Sequence, residues 1–328
     1  MAEKRGIGSS RSAVLAARLG AVLLGFGPCA AWAGAGLAAS QPDKASTGSS
    51  ATVVPGVTVV APKSPQATPV PLPVIQNFVR SHGATTRIGQ LAKWHDDVCP
   101  TTIGLPPAFN AFVSQRVTEV AANVGAPVKA DGRCTTNIAI IFSPEPQKLL
   151  DHIRQKHWVL LGFHYPAQLK RIATFNHPIQ AWYATGTEGS GGNIAVPGSG
   201  GGLALDDSCC ATPGGVAGSH FSVGLNSQFL SVVIVADANK VADYKIGAIA
   251  DYVALLALTH ANSLDACGEM ASIIDLMSPT CAAASKPDAM TDGDIAYLKA
   301  LYATNLSNVL WVEQDSIADR MQQGLGSK

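Results

Sequence analysis

The chain lacks the short motifs that usually announce a chemistry. It has no CxxC pair, and neither its cysteines nor its histidines fall at zinc-site spacing, so a structural metal is disfavoured. No GxxxxGK[ST] occurs and no GxGxxG sits between a strand and a helix, which removes the standard phosphate cradles. GxSxG and SxxK are missing too, and with them two recognisable serine-nucleophile arrangements. Charged residues make up only 14% of the chain, the formal net charge is zero, and no segment is a basic cluster. Counterion release therefore cannot drive nucleic-acid binding. No period of 20–50 residues recurs, which excludes a repeat architecture.

What is present points to an exported, packed domain. Of the 328 residues 47% are hydrophobic, enough for a globular core. Lys4, Arg5 and Arg11 form a basic start, residues 19–26 a short apolar run, and Ala31-Trp32-Ala33 a small-x-small cleavage pattern. Residues 1–33 are read as a signal peptide, with 39 as the alternative end. Both apolar pieces are too short, and too interrupted by Arg18 and Pro28, to anchor the chain in a bilayer. A lipoprotein would use Cys29, but Pro28 precedes it where a small residue is wanted. The expected location is periplasmic or extracellular. Cleavage would remove four of 23 basic and one of 23 acidic residues, leaving 19 and 22, a net charge of −3.

Six cysteines remain after cleavage: Cys99, Cys134, Cys209, Cys210, Cys267 and Cys281. An even count in an exported chain reads as disulfides, with fifteen possible pairings. Local spacing favours Cys267–Cys281, and Cys99 with Cys134 flank a predicted helix whose ends they can staple. Cys209 and Cys210 are adjacent and stay open between a vicinal disulfide, free thiols and pairing elsewhere.

Seven prolines between residues 40 and 73 forbid a continuous helix, so 34–73 reads as a disordered tether. Its β-prone island at 55–61 has a faint look of segments that dock onto TonB-type envelope partners; a plain linker is the simpler reading. From residue 74 to 328 the pattern is one α+β domain with a small mixed sheet and packed helices. Helices are predicted at 74–82, from Pro106-Pro107 with Phe109, Phe112, Val113, Val117, Val120 and Ala121 on the apolar face, and at 146–157. Strands are predicted at 137–142, 158–165, 179–185 and 230–235. Eight glycines between 186 and 202 read as a flexible loop between hairpin strands.

The longest apolar run of the mature chain, 246–277, opens as a helix that is apolar nearly all round and hence buried. Asp251 stands out on it, because a buried carboxylate must find donors or raise its pKa. Thr291 with Asp294 forms a capping box for a further helix over 291–302.

Residues 250–258, followed by Asn262, the segment 272–277 and the helix at 291–302, resemble in layout the HExxH helix region of zincin metallopeptidases. The likeness is loose and covers about 55 residues; the HExxH motif itself is absent. Stretches such as 179–185 are also similar to uncharacterised exported proteobacterial proteins. The zincin resemblance implies a zincin-like fold and places Ala250 and Ala254 where two zinc-binding histidines belong, Asp251 at the general base and His260 at a third-ligand position. Alanine has no lone pair to offer, and a catalytic zinc wants at least three protein ligands. The expectation is a non-catalytic envelope or binding module, a pseudoenzyme with no cofactor and no metal. The alternative is a hydrolase using Asp251 or His260 with a histidine from the 157–177 region. Asp206-Asp207 supplies too few oxygens for calcium.

Overall fold

One long strand, β6 (Asn226–Asp237), is the axis around which the sheet is laid. The computed structural model describes residues 70–129, 133–189, 194–195, 224–265 and 267–326. Along one side of β6 run two parallel partners. β1 (Ala92–Lys93) pairs with its first residues and β3 (Ile138–Ser143) with its second half, Ile138 facing Val232 and Ser143 facing Asp237. β2 (Pro100–Ile103) continues the sheet in parallel beyond β3. On the other side β4 (Ile179–Glu188) runs antiparallel, with a register shift at Ala184/Thr185, and β5 (Ile194–Ala195) pairs with its far end. The sheet is thus mixed, in the order β2-β3-β6-β4-β5.

Period-two alternation decides which side chains face which layer. Ile138, Ile140 and Phe142 of β3 and Val232, Ile234 and Ala236 of β6 point into a large core built by five helices. These are α1 (Leu72–His82), α2 (Pro107–Val124), α5 (Ile246–Leu258), α6 (Asp292–Ala303) and α7 (Leu310–Gly326). Val233, Val235 and Trp182 point the other way, into a smaller core under α3 (Pro146–Lys156), the 3-10 turn Trp158–Leu161 and α4 (Pro166–Ile172). Because both faces are covered, the inner strands read as near-continuous β-branched runs.

The sequence reasons for the helices are local. Pro107 and Pro146 sit in first turns, where a missing N–H costs nothing. Gly125 ends α2 in the left-handed conformation, at φ 83°, and donates back to Ala121 and Ala122. In α5 every residue from Ala248 to Leu258 is buried. Thr291 caps α6 by accepting from the Asp294 amide, and Asp294 accepts from the Thr291 amide in return.

Two disulfides brace this frame. Cys99–Cys134 joins the chain before β2 to the chain before β3, closing off α2, and Cys267–Cys281 closes a loop beyond α5. Cys209, Cys210, Asp206, Asp207, the 55–61 island and most of the glycine-rich loop lie outside the described residues. Among the described residues no helix is long and apolar enough to cross a membrane.

Two expectations are corrected. Residues 158–165 do not form a strand: Trp158–Leu161 is a 3-10 turn, closed by the Leu160 amide on His157 and the Gly162 amide on Val159. Phe109 and Phe112 are not core residues but 47% and 43% exposed. The buried stripe of α2 begins at Val113 and runs through Val117, Val120, Ala121 and Val124; Phe112 is one residue, about 100°, off it, and Phe109 lies a turn ahead of it.

Candidate functional site

The residues singled out on and after α5 do not form one constellation. Asp251 Oδ1 accepts from Arg116 Nε at 2.6 Å and its Oδ2 from the Met290 amide at 2.8 Å. The carboxylate is thereby tied to α2 and to the segment entering α6, a brace with a partner on each oxygen. Arg116 is held above its ordinary pKa chiefly by the hydrogen bond to Asp251. Ala250 and Ala254 are fully buried in the large core. His260, just beyond the helix, lies apart from them, its ring tilted by 35° against Tyr183 of β4 at 4.3 Å.

A second group has the composition of a catalytic triad. His82 Nε2 lies 2.8 Å from Ser272 Oγ, and Ser272 Oγ donates to Asp294 Oδ1 at 2.6 Å. The connectivity is wrong for nucleophilic catalysis, which needs the histidine between serine and carboxylate. Here serine is in the middle. Its oxygen also accepts from the Ile274 amide at 3.2 Å, so it has three hydrogen-bond partners and no lone pair to attack with. His82 Nδ1 has Phe78 O at 2.8 Å and Ser81 Oγ at 3.0 Å, so both ring nitrogens have neighbours at hydrogen-bond distance. Asp294 Oδ2 accepts from the Ile273 and Thr291 amides, each at 2.9 Å. Burial pushes the His82 pKa down against the raising influence of Asp294. This saturated group locks α1, the 272–276 turn and α6 together; a cavity of about 290 Å³ beside it is lined by His82, Ser272 and Glu269.

The third group is a cavity of about 420 Å³ beside β4. β5 pairs only with Thr187 and Glu188, so among the described residues the rest of β4 has a partner on one side alone. Over that open edge lie the 85–87 loop, Leu161, His164, and Arg171 and Ile172 of α4, with His260 at the base. The positions follow from local constraints. Gly162 has φ 95°, and a Cβ there would meet the Tyr183 carbonyl and the His164 ring at 2.8 Å; only glycine lets the chain pass and deliver His164. The 84–90 loop is pinned by the Ala84 amide on His260 O at 2.7 Å and by Thr86 Oγ1 on Ser227 Oγ at 2.7 Å, which sets Arg87 over the cavity.

The electrostatics of this cavity are one-sided. Among the described residues two arginines line it, Arg87 and Arg171, and no aspartate or glutamate does. Neither arginine forms an ion pair with a described residue. His164 is held below its ordinary pKa by burial and then by the Arg87 charge; His260 is pushed down to about 4 by burial and then by His164. His260 Nδ1 is sealed from solvent with no hydrogen-bond partner among the described residues. Tyr183 Oη is engaged with the Leu256 and Thr259 carbonyls at 2.9 and 3.1 Å, and burial raises its pKa, so it is no ready nucleophile.

Of His260 and the histidines of the 157–177 region, the structure brings His164 and His260 to one cavity. His177 is elsewhere, 3.1 Å from Asp265, and the His152 and His157 rings face one another at 6.1 Å. Arg87 and Arg171 carry no local signal, being 84 positions apart and joined only by the sheet. Cys267, Cys281 and Asp275 place three potential metal-ligand atoms within 4.8 Å, but both sulfurs are committed to a disulfide. The chain matches no protein-family model, no curated protein and no solved structure.

Proposed function

We propose that the protein is an exported, non-catalytic binding module that holds a small anion, carrying carboxylate or phosphate oxygens, in the His164–His260 cavity. One observation carries this reading: a concave site lined by two arginines and two histidines, with no carboxylate among the described residues that line it. Arginine presents a planar fork that matches carboxylate and phosphate oxygens, and each histidine can add a donor once an anion stabilises its protonated form. The volume lies in the range of small-molecule sites. The signal-like start and the two disulfides support export. The zincin-like layout, with Ala250 and Ala254 in place of ligands, supports a scaffold that works without metal.

Titration calorimetry of the mature protein with pyrophosphate and with citrate tests this reading and separates the two oxygen sources. Saturable binding of either, lost in Arg87→Ala/Arg171→Ala, is expected. Stoichiometric zinc in the purified protein, or hydrolysis of p-nitrophenyl esters that disappears in both His164→Ala and His260→Ala, would replace it. The second outcome would favour the hydrolase reading, whose support is that these two histidines share a cavity.

A further inference from the structure

The sequence between α3 and α4 exposes three consecutive large apolar side chains. Trp158, Val159 and Leu160 are 42%, 40% and 37% exposed, and Tyr165 nearby is 49% exposed. The turn that carries them is firmly seated, because the next residue, Leu161, is 1% exposed in the small core. A rigid turn with an apolar crown is unusual on a surface of its own, since a polar substitution at any of the three would cost the fold little.

The charges around it are predominantly positive. The segment from Glu145 to Arg171 holds five basic residues (Lys148, Arg154, Lys156, Lys170 and Arg171) and two acidic ones (Glu145 and Asp151), a net of +3 in a chain whose formal net charge is zero. Asp151 is paired with Arg154 at 3.6 Å and Glu145 with Lys148. Lys156 and Lys170, at the ends of the helices on either side of the turn, form no ion pair with a described residue. Ile103, Phe109 and Phe112, also exposed, have no such surround along α2: its one cation, Arg116, pairs with Asp251 and Glu119.

We infer that the Trp158-Val159-Leu160 turn is a membrane-docking tip, inserting into the headgroup region of an anionic lipid surface while Lys156 and Lys170 rest on lipid phosphates. Tryptophan and tyrosine favour the membrane–water boundary, aliphatic side chains enter just below it, and lysines beside them add attraction to anionic lipid. The inference is independent of the anion cavity, because neither lysine nor any of the three crown residues lines it.

The experiment is co-sedimentation of the mature protein with phosphatidylcholine vesicles, with and without phosphatidylglycerol, alongside tryptophan emission. Binding that requires phosphatidylglycerol, weakens with salt, and shifts emission to the blue is expected; Trp158→Phe should abolish the shift. Val159→Ser/Leu160→Ser should lower the partition coefficient at least about tenfold, and Lys156→Gln or Lys170→Gln about fivefold each. Near-ultraviolet circular dichroism identifies any variant that has lost its packing, and the lysine variants, being at the surface, carry the test if the double serine variant does so. No binding to phosphatidylglycerol vesicles, or unchanged binding in these variants, overturns the inference, including the case in which the turn docks a protein instead.

Discussion

His82 is buried and His260 half-buried, both lie close to the central helix with depressed pKa values, and they do opposite things. Around His82 every polar atom has a partner: Phe78 O, Ser81 Oγ, Ser272 Oγ, and through the serine Asp294. Around His260 one ring nitrogen has none among the described residues, and the cavity it lines carries Arg87, Arg171 and His164 with no carboxylate among the described residues. Composition alone would choose the His/Ser/Asp group as the active site. Connectivity reverses that choice. A network with every polar atom partnered is a strut, whereas two arginines beside a cavity, neither in an ion pair with a described residue, are capacity for a ligand.

The largest effect that can break this comparison is at Asp294. Asp294→Ala removes the acceptor for Ser272 and for the Ile273 and Thr291 amides at a site with no exposure, and should cost about 3–5 kcal/mol in urea unfolding at pH 7. A loss under about 1 kcal/mol would mean the cluster is not a strut. Next come paired substitutions that keep a ring and delete its nitrogens. His82→Phe should destabilise by about 2–3 kcal/mol, while His260→Phe, which removes a nitrogen that has no partner, should be neutral or stabilising by up to about 1 kcal/mol.

Much of the strut was legible beforehand, and little of the cavity. Thr291 and Asp294 are a capping box three residues apart, and Ile138–Phe142 is a β-branched run; both signals are local and appear in the fold. The 158–165 stretch misled because a short apolar run does not distinguish a strand from a tight turn. What decides it is Gly162 at φ 95° and the two helices that hold the turn. α7 shows no capping signal, and its burial of Ile317, Ala318 and Met321 follows from packing. Arg87, His164, Arg171 and His260 meet only through sheet topology, which no spacing rule encodes.

A third buried group sharpens the contrast through pH. Glu313 accepts from the Leu91 amide at 3.0 Å, but its other oxygen has no partner among the described residues, and burial pushes its pKa up to about 7. Its contribution is present below its ordinary value of 4.5 and is lost as pH rises through about 7. Glu313→Gln should therefore stabilise by about 1–3 kcal/mol at pH 8 and change little at pH 4.5, measured by urea midpoints. The histidines run the other way. With folded values below 6.5, and about 4 for His260, they contribute stability above pH 6.5 that is lost as pH falls toward 4. In the wild-type protein the slopes oppose between pH 4.5 and 6.5, and Glu313→Gln should expose the acid loss alone.

The smallest stability effect belongs to the cavity arginines. Arg87→Ala and Arg171→Ala should each change stability by no more than about 0.5 kcal/mol, because neither side chain is in an ion pair with a described residue. Each should weaken anion binding about tenfold or more. An anion in the cavity favours protonated His164 and His260, so affinity should rise as pH falls from 8 toward 5.5.

The most direct measurement is calorimetric titration of the mature protein with pyrophosphate and citrate at pH 6, in two buffers of different ionisation enthalpy. Saturable binding of at least one anion, with net proton uptake and loss in Arg87→Ala/Arg171→Ala, is what the cavity's two arginines and two histidines require. Absence of binding to both anions, or binding that the double variant leaves intact, would contradict it.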